Sequence, residues 1–166
     1  MLREHFGVDF KYDFCHTKDE VIATLRAKVP VIVVVRWSDS YHRSVRILRD
    51  GKANDDQETS SYWAKYKDLG ATPEMCEKVK NGIIPYPNDE MIEKSEYAPV
   101  THAVLCVGYD SGDDAFIVRD YNPGTPDYNG FFKLESKLFF DPKLSSEKRI
   151  SVVEAVISIN VKRVKR

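Results

Sequence analysis

His102 and Asp120 are the two residues of this chain whose types and positions suit shared chemistry. His102 opens an apolar run from Thr101 to Tyr109, and Asp120 closes a second run that begins at Ala115. An imidazole titrates near neutrality, so it can take a proton from a nucleophile and return it to a leaving group. A carboxylate at the neighbouring strand end can accept from the other ring N–H and hold the imidazole in place. Such a pair needs a nucleophile, and the chain has three thiols, Cys15, Cys76 and Cys106. Cys15 is the only one in the N-terminal segment, and its neighbour His16 cannot easily serve it, because adjacent side chains of an extended chain point apart. Cys76 falls in the first turn of a predicted helix, where the helix dipole can lower a thiol pKa. Cys106 lies inside an apolar strand and reads as core. His102, Asp120 and Cys15 are therefore the candidate catalytic residues. Against this stands a plainer reading, in which His102 is a structural histidine and Asp120 caps the turn from Tyr121 to Gly124.

The elements that must position these residues follow from pattern. Residues 1–16 are aromatic-rich and irregular and read as an extended arm packed on the core. Thr17 and Glu20 form a capping box, which predicts a helix from Lys18 to about Ala27. Val29 to Trp37 is β-branched and almost wholly apolar, the signature of a strand buried on both faces. A short strand is expected over Val45 to Leu48 and a polar loop over Asp50 to Ser61. Two short helices are predicted next, from Ser61 to Leu69 and from Pro73 to Gly82, the second capped by Thr72. Pro85, Pro87 and Pro99 mark an extended approach to His102. A hairpin turning at Ser111 to Asp114 then joins the His102 strand to the Asp120 strand. Turn parity decides which residue shares a face with His102. An odd turn gives Asp120 and an even turn gives Tyr121, and the residues leave both open. Beyond the hairpin lie a third strand ending near Leu134, a short helix or turn from Ser136 to Leu144, and a long last strand from Ile150 to Val161.

The order and content of these pieces resemble the C-terminal half of papain-like cysteine peptidases. The matching residues are His102-Ala103-Val104, Val107-Gly108-Tyr109, Phe116 to Asp120, and Asn129-Gly130-Phe131. Upstream, Asp19 to Leu25 followed by Val29-Pro30-Val31 resembles the family's short helix and first barrel strand, and Asn81 to Pro85 the segment that approaches its catalytic His. Downstream, Phe140-Asp141-Pro142 and Ile150 to Val161 resemble the closing elements, so the similarity covers most of residues 17–161. It implies an α+β fold, the right-hand domain of a papain-like enzyme. The expected form is a twisted, antiparallel, barrel-like sheet with an N-terminal helix and a small helical insertion over 45–80. It also implies that His102 is the counterpart of the family's base and Asp120 of its orienting Asn. The family's Cys-bearing helix start has no counterpart before Thr17, and Tyr121-Asn122-Pro123-Gly124 stands where the family has Ser-Trp-Gly. The expectation is a barrel half without the nucleophile segment, its His102 and Asp120 vestigial or conditional on a thiol from elsewhere.

Bulk composition narrows the classes. A chain of 166 residues is expected to form one domain, 1–166, with the basic tail at 162–166 as a solvated end. The net charge of −1 argues against nucleic acid as a partner. The longest apolar run, Val29 to Val35, falls far short of the ~20 residues that span a bilayer, so no membrane partner is expected. No signal segment is evident at the N-terminus, and three cysteines make no disulfide framework, so a reducing, intracellular compartment is expected. Cysteine and histidine spacings match no zinc site, and Asp110, Asp113 and Asp114 lack the glycine and glutamate pattern of a calcium loop. No cofactor or metal is expected. The expected function is that of a non-catalytic papain-like homologue binding other protein chains in a larger assembly, through the 45–80 insertion and the termini. The alternative is an active cysteine peptidase using His102 and Asp120 with Cys15 or with a thiol from another chain.

Overall fold

The computed structural model describes residues 8–37, 57–94, 100–120, 130–141, 144 and 152–163. Among the described residues seven strands form one mixed sheet in the order β1-β7-β2-β4-β5-β6-β3, and five helices accompany it. The strands are β1 (Val8–Phe14), β2 (Val31–Trp37), β3 (Ile83–Ile84), β4 (Val100–Asp110), β5 (Ala115–Arg119), β6 (Phe131–Glu135) and β7 (Val152–Arg163). The helices are α1 (Lys18–Arg26), α2 (Gln57–Asp68), α3 (Pro73–Lys80), α4 (Asp89–Lys94) and α5 (Lys137–Phe140). All strand pairs are antiparallel except β3 with β6. The fold is thus α+β with a mostly antiparallel sheet, as expected.

Local chemistry sets the helix ends. The Thr17 hydroxyl accepts the Glu20 N–H at 3.2 Å, starting α1, but Glu20 reaches past the cap and accepts the His16 N–H at 2.6 Å. That fixes the chain where β1 hands over to α1. Thr72 caps α3 in the same way, accepting the Met75 N–H at 3.3 Å, with Pro73 in the first turn, where its missing N–H costs nothing. Gly82, at φ 75°, then turns the chain into β3.

One sheet face carries the core. Val31, Val33 and Val35 on β2, Val104 and Cys106 on β4, Phe116 and Val118 on β5, and Phe132 and Leu134 on β6 are all buried in a single cluster. Val21 of α1, Tyr66 of α2, Met75 and Val79 of α3, Met91 of α4 and Phe139 of α5 close over it. Phe116 is at its centre, fully buried, with its ring 4.3 Å from that of Phe139 and 5.2 Å from that of Tyr109.

Several expectations need correction. Residues 8–14 are not an irregular arm on the core but a strand of the sheet, and Tyr12 and Phe14 are exposed. The alternation Val8, Phe10, Tyr12, Phe14 was the signal, and aromatic content hid it. β2 is buried on one face only, since Ile32 and Val34 are half-buried. α2 begins at Gln57, inside the stretch expected as loop. The helices of the 45–80 insertion are not a pure add-on, because Tyr66, Met75, Cys76 and Val79 belong to the core. A helix, α4, replaces part of the extended approach to His102, its start capped by the Asn88 side chain accepting from Met91 N–H at 2.9 Å. The basic tail is partly strand, since β7 runs to Arg163. The expected strand over Val45 to Leu48 lies outside the described residues.

The β4–β5 turn is pinned from two sides by charge. Lys133 of β6 donates to Asp110 at 2.7 Å and to Asp113 at 2.5 Å. Lys18 of α1 pairs with Asp114, which also accepts from the Tyr109 hydroxyl at 2.6 Å. These bonds, Lys18 first, hold the Asp114 carboxyl down at about 2. A depressed carboxylate stabilises the fold fully above its unfolded pKa and loses that contribution as pH falls through its folded one. Asp114 therefore supports the fold above about pH 4, and its support is lost between about pH 4 and about pH 2. The site is half exposed, so solvent screening keeps the contribution within about 1 kcal/mol. In Asp114→Asn, acid titration of stability should be flatter across that window than in the wild type, by urea unfolding at each pH. Phe116→Ala should lower unfolding free energy by ~3–5 kcal/mol at pH 7, read from the shift in urea midpoint.

Candidate functional site

His102 is the third residue of β4 and alternates with Val104 and Cys106, so its side chain projects from the core face of the sheet. Asp120 follows β5 and alternates with Phe116 and Val118 on that same face. The turn between the strands, residues 111–114, has four residues. An unbroken ladder through an even turn would have set Tyr121, not Asp120, on the His102 face. A β-bulge prevents it. Asp110 pairs with Ala115 and Gly108 with Ile117, but Cys106 pairs with Val118, so Val107 is an extra residue in β4. It restores the parity that the turn removes. Val107 itself is exposed.

The two side chains meet. Nε2 of His102 lies 2.9 Å from Oδ1 of Asp120. The ionised carboxylate accepts, so Nε2 carries the proton and Nδ1 is left as the ring's basic nitrogen. The His102 side chain is 30% exposed and that of Asp120 18%, which opens the pair to a second molecule while limiting the solvent around it.

Asp120 is held by its backbone. Its N–H donates to the Gly130 carbonyl at 2.7 Å, tying the end of β5 to the start of β6. Gly130 has φ 69°, and a Cβ there would stand 2.5 Å from the Asp120 carbonyl oxygen. Both the left-handed backbone and the close approach require glycine at this position. Gly130 carries no functional group, and its place beside Asp120 depends on the β5–β6 register, so residue-by-residue reading misses it as part of the site.

None of the three thiols hydrogen-bonds His102. Cys15 is buried at the junction of β1 and α1, with its sulfur 3.9 Å from the Thr24 hydroxyl and its N–H donating to the Val156 carbonyl at 2.8 Å. It borders a cleft of about 220 Å³ between Phe14, His16, Phe139 and Val156, away from the dyad. Cys76 is buried in α3 among the core residues. Cys106 shares the face of His102 but sits four residues deeper along β4. Burial pushes its thiol up to about 12, so it stays protonated and unreactive at neutral pH. The structure thus joins His102 with Asp120 and leaves Cys15 and Cys76 apart from them. Among the described residues there is no cluster of three or more His, Cys, Asp or Glu that could hold a metal ion. Among those residues, too, no helix is long and apolar enough to cross a membrane.

No family model, no curated protein and no solved structure matches this chain. The chemistry of the site therefore rests on its geometry. Gly130→Ala should displace Asp120 and break its contact with the imidazole. The expected readout is loss of the hydrogen-bonded His102 Nε2 proton signal by NMR, while far-UV circular dichroism keeps its native shape. A His102 signal unchanged in that variant would show that the Gly130 approach does not hold the dyad.

Proposed function

We propose that this chain is a papain-like cysteine peptidase homologue that acts by binding protein, as an accessory component of a larger assembly, and does not cut peptide bonds by itself. The observation that supports this reading is the placement of the thiols. All three are buried, and none is hydrogen-bonded to the only His–Asp pair among the described residues. Peptide hydrolysis of this kind needs a thiol within hydrogen-bond reach of the base. Three free cysteines also suit a reducing compartment.

The dyad itself favours a second reading, in which another chain or another segment brings the thiol. His102 presents Nδ1 with no hydrogen bond among the described residues, and Asp120 fixes the ring from the opposite side. In that assembly the thiol would give its proton to Nδ1 and the thiolate would attack a peptide carbonyl. The imidazolium would then protonate the departing amine, and water would cleave the thioester.

A peptidyl epoxide that alkylates activated thiols separates the two. The chain alone should show no stoichiometric labelling by mass spectrometry at neutral pH. Rapid labelling of one of its cysteines, abolished by His102→Ala, would overturn the first reading. Labelling of a partner's cysteine only in the presence of this chain, and lost with His102→Ala, would establish the second.

A further inference from the structure

β1 ends the sheet on one side, and among the described residues nothing pairs with its outer edge. Tyr12 is 68% and Phe14 53% exposed, and their rings meet edge to face at 6.3 Å. Seven residues of open edge form a template for another strand. We propose that β1 pairs antiparallel with β1 of a second copy of this chain, with the two-fold axis at Tyr12.

The backbone restricts the register. The Cys15 N–H donates to Val156, and β1 pairs with β7 without a bulge from Val8 to Phe14. Alternation then directs the polar backbone groups of 9, 11 and 13 toward β7, and those of Phe10, Tyr12 and Phe14 outward. Outward groups must meet outward groups. A two-fold at Tyr12 satisfies this: Tyr12 exchanges both hydrogen bonds with Tyr12 of the second copy, and Phe10 does so with Phe14.

The side chains choose among the registers that remain. Lys11 and Asp13 are exposed on the sheet face opposite Tyr12, and neither has an ion-pair partner among the described residues. With the axis at Tyr12, each Lys11 faces Asp13 of the other copy, twice per dimer. An axis at Lys11 would set lysine against lysine, which is repulsive. An axis at Phe10 would leave Phe14 outside the pairing. On the aromatic face, Tyr12 and Phe14 lie beside half-buried Ile159 and Ile157 of β7, so the second copy would continue an apolar surface already begun. None of this depends on His102 or Asp120.

Sedimentation equilibrium of the intact chain should show a monomer–dimer equilibrium. Lys11→Asp should weaken the dimer by about tenfold, because two attractive pairs become repulsive. Lys11→Asp with Asp13→Lys should restore it, since the swap rebuilds both pairs. Tyr12→Cys should form a covalent dimer under mild oxidation, because the paired Cα atoms would stand about 5.5 Å apart, within disulfide range. Thermal melts confirm that each variant is folded. A chain that stays monomeric at every concentration overturns the proposal. So does a dimer that Lys11→Asp leaves unchanged, and so does a Tyr12→Cys variant that crosslinks no faster than an exposed cysteine elsewhere.

Discussion

One extra residue in β4 decides which half of each later strand faces the core. Val107 shifts the pairing between Cys106 and Gly108, so inner positions fall at His102, Val104 and Cys106 before it and at Tyr109 after it. β5 keeps one parity throughout, with Phe116, Val118 and Asp120 inward. β6 and β3 take their register from β5 in turn. Without the bulge, either the Tyr109–Phe116 contact at the turn or the His102–Asp120 contact at the far end would be lost, because a strand cannot serve both with one alternation. The bulge lets one hairpin pack a core at its turn end and bring His102 and Asp120 together at the other.

That device explains why the fold was more legible than the site. α1, α3, the β4–β5 hairpin and the long last strand follow from capping residues, glycine stops and apolar runs that act within a few neighbours. The bulge leaves no such mark. Ala103, Leu105 and Val107 are apolar like Val104 and Cys106, so β4 reads the same in either parity, and only the pairing with β5 separates them. The start of α2 carries little signal because its first turn, Gln57 to Ser60, is polar, while the rings that pack on the core, Trp63 and Tyr66, come later in the helix. α4 is hard to read because prolines flank it, while its start depends on Asn88, whose amide also donates to the Gly70 carbonyl at 2.8 Å. Contacts of that kind are tertiary and carry no local pattern.

Among the candidate residues, His102 and Asp120 meet, and three-dimensional position separates them from the thiols. Cys15 is a candidate only by its place in the chain. Its backbone is bound to β7, two strands from β4 in the sheet order, and its sulfur meets Thr24. Cys106 is nearer in sequence and on the correct face, yet it lies toward the interior, where burial suppresses the thiolate. Nearness along a strand and usefulness to a base are opposed here. The face that brings a side chain toward His102 is also the face that buries it, except at the strand's first residues.

The dyad is therefore located where the core face of the sheet runs out. His102 and Asp120 are on the same side as Val104 and Val118, but at the edge of the packed cluster, and each retains part of its surface. The Gly130 carbonyl bound to the Asp120 N–H fixes the backbone so that the short carboxylate need not search for the imidazole. The arrangement holds the ring and the carboxylate in a fixed relation and leaves part of each side chain exposed.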